Sequence, residues 1–366
     1  MYISVIIPTR NRGSLLEKFL LSLKNQTLAI FNYEVIIVDN GSTDSTKSLV
    51  EKYIPIITNL KYIFEPNPGL HSGRHRGFLE SQGEILVYGD DDIEAFPQWL
   101  ETIYHSFQTN PEVAMMGGKN LPQFENQPPQ WLEKMWQPNH LGEQIFGYLS
   151  ILNLGEKIKF ISPYYIFGCN FAIRRSVLEE AGGFHPDGMP QELIKYRGDG
   201  ESHVSGYVEK KGYKALYHPD ASVYHWVSNK RMSVDYLCLR AYNEGISHSY
   251  TKIRASLEKD HQNFDNRNYP ASLIERVKGC CQKILNLGIK IRSNLSSSKE
   301  IDLELQNVRE KIASAYQEGF NFHQEQIEKE PLLLEWVLRP HYWDYQLPNY
   351  GSCHFILEIR KPNPTQ

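Results

Sequence analysis

The amino-acid sequence predicts an α/β protein: a mostly parallel sheet with helices on both faces, followed by a mainly helical C-terminal extension. Three observations lead there. From Ile3 to Thr109, short apolar runs rich in β-formers alternate with segments whose apolar residues recur at helical spacing, a rhythm that gives parallel βαβ units. Three of the runs end in polar or acidic residues, at Thr9 to Arg12, at Asp39 and at Asp90 to Asp92. Parallel strands bring such ends to one edge, where open α/β sheets bind ligands. Beyond about Met232 the composition shifts and long amphipathic patterns take over, so the chain divides into 1–231 and 232–366.

The elements follow in order. Ile3–Pro8 is a first buried strand, and Thr9–Gly13 a polar turn at its end. Leu15, Leu16, Phe19, Leu20 and Leu23 mark a helix with Ser14 as its candidate N-cap. Tyr33–Val38 is a second strand, closed by the turn Asp39–Asp44 and followed by a helix through about Tyr53. Leu60–Phe64 is a weaker third strand, and Glu65–Leu70 a loop with two prolines and a glycine. A helix over 72–81 stops at Gly83. Ile85–Gly89 is the fourth strand, ending in the three consecutive aspartates. A helix after Pro97 and a strand at Val113–Met116 come next, then an irregular stretch, Pro122–His140. Gly168–Arg175 reads as a strand leading into a helix over 176–181, closed by Gly182 and Gly183. Asp199-Gly200-Glu201 opens a helix through Lys211, and a turn after Tyr217 leads to a short strand ending on His225. In the extension, Ile274 to Leu295 and Ile301 to Tyr316 form two apolar faces joined by Ser296–Ser298, which predicts a helical hairpin.

At 366 residues the chain can bury a full core. Its 41% hydrophobic and 22% charged residues are ordinary for a globular protein, and a net charge of −4 gives no electrostatic footprint for nucleic acid. Five scattered cysteines without a CxxC pair favour a reducing compartment. Met1-Tyr2-Ile3 runs into a strand without a signal peptide, and no apolar stretch reaches the ~20 residues of a membrane span. The expectation is a cytoplasmic protein. The basic segment 273–299, with Arg276, Lys278, Lys283, Lys290, Arg292 and Lys299 against Glu275, offers peripheral contact with the inner face of the membrane if it is not the solvated side of a packed helix.

The residues at the strand ends carry the chemistry. Asp90, Asp91 and Asp92 repel one another, and burying their charge asks for a cation. Hard oxygen ligands suit Mg²⁺ or Mn²⁺. A solvated acidic loop is the competing reading, and the convergence of three polar strand ends argues against it. Asp39, past its strand, suits a ribose hydroxyl or an imide N–H, or an Asx-turn.

Four stretches, Val5–Arg12, Val38–Asp44, Asp90–Asp92 and Gly168–Arg175 with Gly182-Gly183-Phe184, occur in the order and spacing of a known family. Residues 3 to about 226 resemble a family 2 inverting glycosyltransferase of the GT-A fold. The resemblance implies a nucleotide-sugar donor, most commonly UDP-linked, held at base and ribose by Thr9, Arg12 and Asp39 with Pro8 beside them. It implies that Arg74 faces the donor, although His75 follows it where the family often has Asn. It reads Asp90-x-Asp92 as the DxD motif: Asp92 first among metal ligands, Asp90 and His225 as further ligands, and Asp91 with Asp90 toward the donor. Glu201 falls where the family carries its catalytic carboxylate, with Asp199 as rival base. The acceptor is then a hydroxyl of a saccharide or lipid-linked saccharide. Trp226 and Arg231 come near the diphosphate, and Trp131 and Trp136 form an acceptor platform or core. Two alternatives stand beside this reading. A sugar-nucleotide pyrophosphorylase would have a glycine-rich first turn, where this turn has only Gly13. A non-catalytic nucleotide-sugar-binding scaffold would not need the acidic triplet or a base.

Overall fold

The computed structural model describes residues 2–261, 296–344 and 347. Its elements are β1 (Ile3–Thr9), α1 (Gly13–Lys24), β2 (Tyr33–Asp39), α2 (Thr46–Tyr53), β3 (Leu60–Phe64), α3 (Leu70–Glu80), β4 (Ile85–Gly89), β5 (Ile93–Ala95), α4 (Trp99–Thr109), β6 (Val113–Gly117) and β7 (Asn120–Phe124). They continue with α5 (Gln130–Glu133), β8 (Gln144–Phe146), β9 (Ile151–Asn153), β10 (Lys159–Ile161), β11 (Asn170–Arg174), α6 (Arg175–Glu180), α7 (Glu201–Lys210), β12 (Lys214–Tyr217), β13 (Val223–Val227), α8 (Val234–His261), α9 (Ser296–Lys329) and α10 (Pro331–Val337).

An eight-stranded sheet runs β10-β12-β6-β11-β4-β1-β2-β3. Strands β3, β2, β1 and β4 are parallel, with Thr9 opposite Asp39 and Ile6 opposite Tyr88. Both faces are covered, and the period-2 alternation of each strand splits its residues between two cores. Val5, Ile7, Val35, Ile37 and Val87 pack with Leu16, Phe19 and Leu20 of α1 and Trp99 and Ile103 of α4. Ile6, Ile36, Leu86 and Tyr88 pack with Phe78 of α3, Leu178 of α6, Phe184, and Val204 and Val208 of α7. Strand β3 sits at the sheet edge with its residues partly exposed, which is why its sequence signal is weak.

Besides the antiparallel edge strand β10, two features depart from a simple parallel pattern, and both build the site. Strand β11 inserts antiparallel beside β4, with Asn170 opposite Gly89. The chain therefore enters β11 where β4 leaves it, and Gly168 and Cys169 arrive at the aspartate edge. A second sheet, β5-β13-β7-β9-β8, lies beyond that edge. Its antiparallel pair sets His225 opposite Ile93, one residue from Asp92. Part of this sheet, β7, together with α5 falls in Pro122–His140, the stretch expected to be irregular.

The extension also differs from the predicted hairpin. Residues 274–295, its first arm, and with them most of the basic segment 273–299, lie outside the described residues. Ser296–Ser298 begin α9 rather than joining two arms. The partner of α9 is α8, an element the sequence did not announce. The two backbones touch: a Cβ on Gly319 would lie 2.0 Å from the Tyr242 carbonyl oxygen. Leu237 and Ala241 of α8 and Leu305, Val308 and Ile312 of α9 share one core with Trp131, Trp136 and Leu149, so both tryptophans are packed inside. Among the described residues no helix is long and apolar enough to cross a membrane.

Candidate active site

The carboxyl ends of β1, β2 and β4, the turn before β11, the start of α7 and the end of β13 converge. Asp91 is buried with both oxygens engaged: Thr9 Oγ1 donates to Oδ2 at 2.7 Å and Arg12 Nη1 to Oδ1 at 2.8 Å. Asp92 is buried and divided in its bonding. Its Oδ2 accepts from Arg12 Nη2 at 2.8 Å and Arg231 Nη1 at 3.0 Å. Its Oδ1 has no hydrogen-bond partner and lies 3.3 Å from His225 Nε2. Asp90 makes no hydrogen bond or ion pair among the described residues.

The arrangement fits a divalent cation. Asp90, Asp92 and His225 each offer a ligand atom, all within 4.8 Å of one another. The Nδ1 of His225 faces the Leu149 carbonyl at 3.1 Å, and Arg231 Nη1 faces Nε2 at 3.1 Å. An Arg only donates, so Nε2 carries the lone pair and Nδ1 the proton. That is the tautomer of a metal-ligating His whose other nitrogen is fixed by a carbonyl. It leaves two acceptors, Nε2 and the Asp92 oxygen, facing each other, which a cation would reconcile. The charges say the same. Burial pushes the Asp91 carboxyl up to about 7 against the pull of Arg12, with Asp92 adding to the rise. Burial and then Asp92 also push Asp90 up. Burial works against Asp92 too, but a protonated His225, and then Arg12 and Arg231, hold it below the usual carboxylate range; with His225 neutral, the two guanidinium groups remain to do so.

Arg74 and Glu201 stand on the other side of the cluster. Arg74 is buried on α3, donates from Nη1 to Glu201 Oε2 at 3.0 Å and stacks over Phe184 at 5.0 Å. Glu201 Oε1 accepts from the Gly168 N–H at 3.2 Å, and its side chain keeps 29% exposure. A Cβ on Gly168 would lie 2.3 Å from Arg74 Nη2 and 3.0 Å from Glu201 Oε1. The glycine is what lets the two side chains meet over the backbone. Gly168→Ala is therefore expected to spread this pair and lower transfer at least ~10-fold while the protein stays folded, read as kcat against an unchanged far-ultraviolet circular dichroism spectrum.

Asp39 and Asp199 are arranged differently. Asp39 is buried, with Oδ1 accepting from the Ser42 N–H and Oδ2 from Tyr62 Oη, each at 2.7 Å. Pro8 is buried in β1 against Gly73. Asp199 is paired on both oxygens, with His185 Nδ1 at 2.6 Å and Thr251 Oγ1 of α8 at 2.9 Å. Burial favours its neutral form, yet these partners hold it down at about 2. Glu201 alone of the two opens onto Arg74. His75, next to Arg74, is also committed: it faces the Tyr342 carbonyl at 3.0 Å and takes the Phe184 N–H on Nε2 at 2.9 Å. Sequence reasoning did not find Tyr62, His185, Leu149 or the N–H of Gly168, because each reaches the site through tertiary contact rather than local spacing.

Residues 4–182 match the family described as glycosyl transferase family 2. Those residues, just under half of the chain, carry its likeness to that family. The chain is 28% identical over 220 residues to the glycosyltransferase AglE of Haloferax volcanii, a match covering 60% of this chain and 65% of that one. It is 23% identical over 224 residues to the glucosyl-dolichyl phosphate glucuronosyltransferase of the same organism, covering 58% and 66%. The chain thus spans just under two thirds of the length of either relative. The fold resembles that of the mannosyltransferase PcManGT from Pyrobaculum calidifontis, solved in complex with GDP-Man and Mn²⁺, with a TM-score of 0.53 and 18% identity over 90% of this chain and 88% of that one. The match to family 2 ends within the first residues after α6, before Glu201 and His225.

Proposed function

We propose that this protein is a metal-dependent, inverting glycosyltransferase that moves a sugar from a nucleoside diphosphate, UDP first, to a hydroxyl of a saccharide or lipid-linked saccharide. The observation that carries the reading is the Asp90, Asp92 and His225 cluster beside the Arg74–Glu201 pair. Asp92, Asp90 and His225 would hold Mn²⁺ or Mg²⁺, which supplies charge neutralisation at a diphosphate leaving group. Thr9, Arg12 and Asp91 form one hydrogen-bonded unit at the end of β1, suited to the nucleoside side of the donor. Asp39 reads as an anchor for the turn over 39–42 and, with Tyr62, as a wall for the base. Arg74 brings a guanidinium to the donor phosphates. Glu201 takes the proton from the acceptor hydroxyl as that oxygen attacks the anomeric carbon and the carbon–oxygen bond to the diphosphate breaks; one displacement inverts configuration. Asp199 holds the start of α7 through His185 and Thr251.

The name of one Haloferax relative gives a dolichyl phosphate saccharide as the molecule it acts on, which supports a lipid-linked acceptor here. The GDP-Man in the PcManGT structure makes GDP the main competitor for the donor. A thermal-shift panel of UDP-, GDP- and dTDP-sugars with and without Mn²⁺ tests the reading. One donor should raise the melting temperature only with the metal, by the equivalent of about 2.7 kcal/mol at a hundredfold excess over Kd. A panel in which no nucleotide shifts the protein under either condition rejects it.

A further inference from the structure

Helix α8 turns one stripe of side chains, Tyr236, Arg240, Asn243, Ser247 and Tyr250, toward the loop that leads into Glu201. The far end of the stripe is anchored there. Ser247 Oγ donates to the Gly198 carbonyl at 2.7 Å and accepts from Arg197 Nε at 3.2 Å, and Tyr250 packs edge-on to His185 at 5.4 Å. The near end begins at Arg231, which bonds Asp92 and lies over Tyr236 at 5.7 Å. Arg240, about 10 Å before Ser247 along the axis at 1.5 Å per residue, therefore stands between the Asp92 cluster and the start of α7.

Arg240 makes no hydrogen bond or ion pair among the described residues, and its Nε is sealed from solvent. Asn243 Oδ1, one turn on, is likewise sealed and unpartnered. The groups whose negative charge reaches Arg240 are Tyr236, Glu244, Asp187 and Glu201, in that order; Glu244, one turn on, makes no ion pair with it, and the other two acids have partners of their own, Asp187 with Arg197 at 2.6 Å and Glu201 with Arg74 at 3.0 Å. A guanidinium whose Nε is sealed and which has no ion-pair partner within salt-bridge distance costs stability. Its position beside the proposed base says what would complete it.

Resting on the glycosyltransferase reading, we propose that Arg240 and Asn243 form an anion subsite for the acceptor. Arg240 takes an oxyanion, phosphate or carboxylate, carried by the acceptor saccharide, and Asn243 Oδ1 accepts a hydroxyl beside it. The acceptor class is then a saccharide bearing a negative charge close to the hydroxyl that reacts.

The test uses the full chain saturated with UDP and Mg²⁺, titrated with inorganic phosphate, with acetate as the carboxylate arm. Phosphate or acetate should raise the melting temperature above that of the UDP complex, and Arg240→Gln should abolish the increment while Arg240→Lys keeps part of it. The melting temperature of Arg240→Gln without ligands should equal or exceed the parent's, because an unpaired buried charge has been removed. Glucose 1-phosphate and its octyl phosphodiester, used as competitors, separate a free from a lipid-borne phosphate by which of them displaces the probe at lower concentration. An increment unchanged in Arg240→Gln, no increment with either anion, or a ligand-free melting temperature lowered by several degrees overturns the subsite. Failure of UDP itself to stabilise the parent condemns the donor reading instead.

Discussion

Asp92→Asn is expected to lower transfer by about 10³-fold or more and to remove the Mn²⁺-dependent part of nucleotide binding. The carboxylate touches three other members of the site: Arg12 and Arg231 on one oxygen, His225 across from the other. The Asn side chain keeps the shape and one acceptor for the two guanidinium groups but loses the charge. The size of the effect follows from the several kcal/mol that a metal contributes to stabilising a departing diphosphate. Calorimetric titration of UDP with and without Mn²⁺ reads binding, and single-turnover kinetics read the rate. Equal turnover by variant and parent in metal-free buffer would sink the metal assignment and pass charge neutralisation to Arg12 and Arg231.

Glu201→Gln is expected to keep donor affinity and lose roughly 10²–10⁴-fold in kcat, the usual contribution of a general base. The amide still accepts from Arg74 or Gly168, so the pocket should hold its shape while the proton acceptor is gone. Asp199→Asn should behave in the opposite way. Its carboxyl is held ionised at about 2 by His185 and Thr251, below the ~3.9 of an unfolded chain. A depressed carboxyl contributes stability that is present above about pH 4 and lost as pH falls toward 2. The Asn variant should therefore unfold more easily at pH 7 and show a flatter stability profile between pH 4 and 2, with modest loss of kcat. An inactive Asp199→Asn beside a nearly normal Glu201→Gln would reverse the two roles.

Much of this was legible in the residues, for identifiable reasons. Strands β1, β2 and β4 are buried on both faces, so residues 5–8, 35–38 and 85–89 are unbroken apolar runs. Their polar ends then stand out, and parallel pairing makes them neighbours. The second sheet was not legible, because β5, β8 and β9 have three residues each, too few for a period. The direction of β11 was not legible either, since its composition is the same whichever way it runs. Helix α8 was missed because its inner surface carries Arg240, Asn243, Ser247 and the buried Ser249, which blurs any apolar stripe. The pairing of Asp199 with His185 and of Asp39 with Tyr62 joins residues whose own neighbourhoods say nothing about it.

The commitment of His75 has a consequence for how the protein comes into being. Its ring is bonded to the Tyr342 carbonyl and lies 4.3 Å from the ring of Trp343, while Arg74 beside it meets Glu201. Residues so late in the chain cannot reach α3 until they have left the ribosome, and chains emerge at ~5–20 residues per second. The nascent chain should hold its nucleotide edge for some ten seconds or more before the Arg74 side of the pocket is braced. Nascent chains arrested with Tyr342 and Trp343 still inside the ribosome should remain open to protease around α3, and chains in which both have emerged should close.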